Sequence, residues 1–214
     1  MYGQREIAYS QNDAKEYSKV FWEITIFRFV TVSICTLIFF LSFGRSNEYG
    51  EIYRILGLEV FATAFDISWF FMGIENFRLT VIRNTIIKII GVVLVFFFVK
   101  STEDVFVYTL CLTLPIFIGN ISLWCSLPKY LVKTNISLLD IVKRIKPILI
   151  LFLPQIATEI YTVLDKTMLG QLASDVDQVG YYTQSEKIVK LALSVLTSLG
   201  TVMLPAMSFA FAQG

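Results

Sequence analysis

The sequence predicts an all-α integral membrane protein of about six transmembrane helices, and three observations predict it. Of the 214 residues, 56% are hydrophobic and 16% charged, against about 45–50% apolar and roughly 25% charged in an ordinary soluble domain. The mean hydropathy is +0.68. The apolar residues also fall into runs near the length of about 20 that a helix needs to cross about 30 Å of hydrocarbon. Inside a bilayer every backbone N–H and C=O must be paired within its own segment, so these runs are helices even where they are rich in Phe, Val and Ile.

Composition also excludes functions. The net charge is +1, which offers no field for nucleic acid. There is no His, so Ser-His and Cys-His catalysis are absent along with the commonest general acid and base. An enzyme is therefore not expected. Cys35, Cys111 and Cys125 lie in apolar runs without a CxxC pair, the wrong pattern for a disulfide framework or a zinc site. No Walker-type glycine loop appears, and no cofactor or metal is expected.

Residues 1–19 are polar and lack the apolar core of a signal peptide. Six candidate spans follow, at Val20–Phe43, Tyr53–Met72, Asn84–Val99, Val105–Leu127, Pro147–Leu164 and Ile188–Phe211. The fourth carries no charge, and the third and fifth are short enough to leave little room for tilt. Residues 20–127 thus hold four spans and residues 147–214 two. The connection 128–146, with its five basic residues, separates the two halves and carries Leu131, Leu138, Leu139 and Val142, which suit either a short amphipathic surface helix or a solvated loop. The N-x-S triplets at Asn120 and Asn135 are read as chance.

Alternation of six spans puts the N-terminal segment, Gly73–Arg83 and Pro128–Lys146 on one side. That side holds Arg5, Lys15, Lys19, Arg78, Arg83 and the basic residues of 128–146, while Arg45, Arg54, Lys100, Lys166 and Lys187 fall opposite. The positive-inside rule makes the first side cytoplasmic.

Ionisable side chains within spans cost about 2.5–3.5 kcal/mol each at the centre, so they face a protein interior or a wet cavity. Here they are Glu23, Arg28, Glu59, Asp66, Lys88, Glu159 and Lys190. Glu59, Thr63 and Asp66 share one helical stripe, as do Glu159, Thr162 and Lys166. Lys187, Lys190, Ser194, Thr197 and Thr201 continue a polar line along the sixth span, which is what a helix beside an anion-attracting cavity would carry. Snorkelling to the headgroups accounts equally for Lys88 and Lys190, and interhelical packing accounts for the hydroxyl residues taken singly. Pro115, Pro154 and Pro205 permit kinks within spans.

The stretches LPQIATEIYTVLDKTMLG (Leu153–Gly170) and VGYYTQSEKIVKLALSVLTSLGTVMLP (Val179–Pro205) resemble the bacterial Wzx-type polysaccharide flippases, and YGQREIAY, FDISWFFMGIENFR and VIRNTIIKI, beginning at Tyr2, Phe65 and Val81, look like the same family in the same order. The resemblance implies a two-lobed, MATE-like fold. This chain would supply helices three to six of the first lobe, a cytoplasmic inter-lobe connection, and the first two helices of the second lobe. It also implies a function: moving an undecaprenyl-diphosphate-linked oligosaccharide from the cytoplasmic to the outer leaflet of the bacterial cell membrane. The partners would be that lipid-linked oligosaccharide, the membrane, and either the remainder of the flippase or polysaccharide assembly proteins.

Under this resemblance Arg28, Lys88, Lys166, Lys187 and Lys190 would line a cationic cavity, and Asp66, Glu59 or Glu159 would bind a coupling ion. Pro205-Ala206-Met207-Ser208 departs from the family's Pro-Arg-Met-Ser. The alternatives are an ion-coupled MATE-type small-molecule exporter, a non-functional flippase fragment, and a membrane-embedded transferase using Asp175 and Asp177.

Overall fold

The computed structural model describes residues 2–44, 50–172 and 177–194. The described residues are helical with no strand. The order is α1 (Tyr2–Tyr9), α2 (Ala14–Phe43), α3 (Gly50–Ala62), a 3-10 turn at Thr63–Phe65, α4 (Ser68–Gly73), α5 (Phe77–Phe98), α6 (Val105–Trp124), a 3-10 turn at Leu127–Lys129, and α7 (Leu138–Leu172). Residues 177–194 are also helical. The chain divides into two units, Met1–Leu149 and Ile150–Gly214.

Among the described residues, five segments are long and apolar enough to cross a membrane: Ala14–Phe43, Gly50–Gly73, Phe77–Phe98, Val105–Lys129 and Leu138–Leu172. They match the first five expected spans, with three corrections to their form. The third and fifth are not short, since α5 has 22 residues and α7 has 35. The helix of the fifth span runs back through Pro147 to Leu138, so the second half of the 128–146 connection is neither loop nor separate surface helix. At about 1.5 Å per residue, α7 has roughly two turns before Pro147 in which to leave the hydrocarbon. The second span is interrupted, as described below. Most of the sixth, including Thr197, Thr201 and Pro205–Ser208, lies outside the described residues, as does Asp175.

In the first unit the core sits at one end of the bundle. The buried side chains of Ile7, Val20, Phe21, Ile24, Ile67, Phe70, Phe71, Leu123 and Leu127 bring together α1, the start of α2, α4 and the end of α6. Phe21 stacks on Trp69 with ring centroids 5.6 Å apart and meets Phe70 edge-on at 5.0 Å. Toward the other end the apolar side chains point outward: Leu37, Leu41, Phe96, Phe97 and Phe98 are all more than half exposed. Such a face suits lipid, which gives apolar side chains no reason to turn inward.

Local signals set the boundaries. Asp13 caps α2 by accepting from the backbone N–H of Lys15 at 2.8 Å and of Glu16 at 3.4 Å. Asp104 accepts from Lys100 and Ser101 N–H at 3.0 and 2.9 Å, closing the turn before α6, and those bonds hold its carboxyl below the usual range. The end of α4 is a Schellman closure: Asn76 N–H donates to Phe71 O at 2.8 Å and Glu75 N–H to Met72 O at 3.2 Å. This leaves Glu75 at φ 59°, a left-handed position that favours glycine. Glu75→Gly should therefore stabilise the protein by about 1 kcal/mol, read as a raised unfolding midpoint in detergent. An unchanged or lowered midpoint would mean that Glu75 makes a compensating contact.

Candidate functional site

The second span cannot continue as one helix through Thr63–Ile67. The α-helical ladder stops at Ala62, a 3-10 turn closes with Asp66 N–H donating to Thr63 O, and Asp66 is extended at ψ 105°. The freed backbone groups would each cost several kcal/mol in hydrocarbon if left bare. Neighbouring helices pair them. Asn120 Nδ2 donates to Ala62 O at 2.8 Å, Trp124 Nε1 to Phe65 O at 2.8 Å, and Arg28 Nη1 to Asp66 O at 2.7 Å. The Asp66 carboxylate accepts Ser68 N–H at 3.0 Å, an Asx turn that starts α4.

A second guanidinium enters from α5. Arg83 Nη1 donates to Asn120 Oδ1 at 2.9 Å and Nη2 lies 3.5 Å from Asp66 Oδ1, while its Nε is buried without a partner. Two arginines thus converge on Asp66, Arg28 at its backbone carbonyl and Arg83 at its carboxylate. The centre carries net positive charge within the apolar bundle.

A second polar cluster gathers the first turns of α7, which belong to the first unit, at that unit's core end. Glu23 is fully buried and accepts from Arg144 Nε. The same guanidinium reaches Glu6 Oε2 at 3.2 Å and Tyr2 OH at 3.3 Å. Beside it Lys19 Nζ donates to Asp140 Oδ2 at 2.5 Å and lies 3.8 Å from Glu23. Three elements, α1, α2 and α7, meet at this clasp.

In the second unit Lys166 Nζ lies 2.5 Å from Glu186 Oε2 and Lys190 Nζ 2.7 Å from Glu186 Oε1. The hydrogen bond from Lys166, followed by that from Lys190, holds the Glu186 carboxyl below the usual range. The triad is therefore complete at neutral pH and is lost only as pH falls through that lowered value.

The model of the family described as "Polysaccharide biosynthesis protein" matches residues 4–211. The chain belongs to that family. A "Putative O-antigen transporter" of Shigella dysenteriae is 28% identical over 213 residues, covering 95% of this chain and 52% of that protein. The chain thus spans about half the length of this relative. No solved structure matches it. Family membership agrees with the resemblance drawn from the Leu153–Gly170 and Val179–Pro205 stretches.

Of the residues expected at the site, Arg28 and Asp66 meet at the break, joined side chain to backbone. Glu59 lies one helical turn before it, half-buried on α3. Lys88 is exposed on α5 and is not brought to the break. Lys166 and Lys190 come together through Glu186, while Lys187 and Glu159 are exposed. Arg83, Arg144 and Asn120 carry more of the geometry than their sequence positions suggested. Arg83, at the end of the expected connection Gly73–Arg83, lies in the first turns of α5. Asn120 and Trp124 stand four residues apart on a helix otherwise free of charge, and that spacing was a usable signal.

The clasp yields a prediction. Arg144→Gln should destabilise the first unit by up to about 3–5 kcal/mol, because it leaves the buried Glu23 carboxylate only Lys19, 3.8 Å away, as a cation. Combining it with Glu23→Gln should recover part of that loss, since neither charge is then left alone. Chemical unfolding in detergent measures both. Strictly additive losses would show that the two groups do not act as a pair.

Proposed function

We propose that this chain forms part of a flippase that carries a lipid-linked oligosaccharide from the cytoplasmic to the outer leaflet of the bacterial cell membrane during polysaccharide export. The observation that carries this reading is the interrupted second span, with two guanidinium groups drawn to it inside an apolar bundle. Discontinuous helices at membrane depth persist where they line a cavity or are enclosed by protein, and in transporters they mark substrate sites. The family match and the relative's description support transport over catalysis.

A diphosphate-linked sugar is anionic and large, so it calls for positive charge beside water. Arg28 anchors the break and Lys88 and Lys187 enter no ion pair among the described residues. Lys166 and Lys190 outnumber the carboxylate they share. In this reading Arg28 and Lys88 serve the headgroup from the first unit, and Lys166, Lys187 and Lys190 from the second. Asp66 is tied to Arg83 and to the Ser68 amide, which leaves Glu59 and Glu159 as the freer carboxylates for an ion that drives alternating access. The N-terminal segment and the 128–146 connection are cytoplasmic in this reading.

Two experiments test it. In the full-length protein, Lys187→Gln with Lys190→Gln should lower surface polysaccharide at least about tenfold, the equivalent of about 1.4 kcal/mol, with normal membrane insertion and a milder effect for Lys→Arg. Undiminished export would remove these lysines from the path. For orientation, Cys35, Cys111 and Cys125 are replaced by Ser and a single Cys is introduced at Ser137 or Glu103. An impermeant thiol reagent should label intact cells only at position 103. Labelling at 137 would reverse the topology.

A further inference from the structure

A groove of about 650 Å³ runs between α5 and α6, and its character changes along its length. At one end it is bordered by Arg78, Arg83 and Ser126, and farther along by Ile86, Ile90 and Leu94. Gly119 explains why it opens there, since a Cβ at that position would overlap the Ile87 side chain. The two helices pack closely at this point and leave a furrow beside it.

Length and width restrict what fits. From Arg83 to Leu94 the helix advances about 16 Å at about 1.5 Å per residue, close to half of a hydrocarbon layer of about 30 Å. The groove therefore has the depth of one leaflet. A hydrocarbon chain is thin enough.

The polar end adds a charge requirement. Both terminal nitrogens of Arg83 are committed, to Asn120 and Asp66. Arg78 is exposed and enters no ion pair among the described residues, so its charge is available to an anion at the groove's mouth. One negative group at headgroup depth joined to an apolar chain one leaflet long describes an anionic phospholipid. Basic side chains attract such lipids by about 1 kcal/mol each near the surface.

We propose that this groove binds one anionic phospholipid of the surrounding bilayer, its phosphate at Arg78 and an acyl chain along Ile86, Ile90 and Leu94. The site stands on α5 and α6 alone and does not depend on the transport reading.

The test is native mass spectrometry of the chain released from nanodiscs of equal phosphatidylglycerol and phosphatidylcholine. One phosphatidylglycerol should be retained in preference to phosphatidylcholine. Arg78→Gln should lower that retention about fivefold, the equivalent of about 1 kcal/mol, and Ile118→Trp, which fills the groove from α6, should abolish it. Lys100→Gln, a charge beyond the other end of α5, should change nothing. Helical content is checked by circular dichroism, and if Ile118→Trp does not fold, Ile86→Phe replaces it.

Equal retention of the two lipids would overturn the proposal. So would full retention by a folded groove-filling variant, or an equal loss with Lys100→Gln. Displacement of phosphatidylglycerol by a stoichiometric polyprenyl phosphate would assign the groove to a lipid carrier instead. A crosslink from Ile118→Cys to another protein helix, in place of lipid, would assign it to a helical partner.

Discussion

The backbone carbonyls of Ala62, Phe65 and Asp66 are the constraint on which the first unit depends. A transmembrane helix normally satisfies its own ladder, and once the second span gives that up, donors must come from elsewhere or the segment cannot stay in hydrocarbon. Asn120, Trp124 and Arg28 supply them at 2.7–2.8 Å. Each donor comes from a different turn or a different helix, so the break fixes how α2 and α6 approach α3 and α4. In a medium where apolar contact gives little driving force between helices, such polar bonds and close packing determine which faces meet.

Charge follows from the same arrangement. Arg28 donates to the Asp66 carbonyl and Arg83 lies against the Asp66 carboxylate and Asn120, so two guanidinium groups share a single carboxylate. Net positive charge at membrane depth is costly unless water or an anion attends it, which is the physical support for the anion path proposed above. The clasp at the other cluster differs in kind. Arg144 answers Glu23 and Glu6 directly, so its charges are paired and its role is to hold α7 against α1 and α2.

The lysines of the second unit show how a stripe read along one helix changes once a neighbour is present. Lys187 and Lys190 lie on a line of polar residues, but Lys190 and Lys166 converge on Glu186. The cationic end is a bridged group with one excess charge, a more ordered structure than a row of free ammonium groups. Order of that kind lowers the entropy cost of presenting charge to an anion.

Sequence alone determined the solvent, the number and order of the first five spans, and the family, because hydropathy and local motifs are properties of consecutive residues. It also marked Arg28 and Asp66 as costly within a span, from their depth in apolar runs. The break at Thr63–Ile67 was beyond it. No proline or glycine marks that place, and an interrupted helix is tolerable there only because Asn120, Trp124 and Arg28, remote in the chain, reach it. Arg83 and Arg144 fall in expected connections for the same reason: their partners lie 17 to 142 residues away, and only tertiary packing brings a buried acid, amide or phenol within reach of a guanidinium.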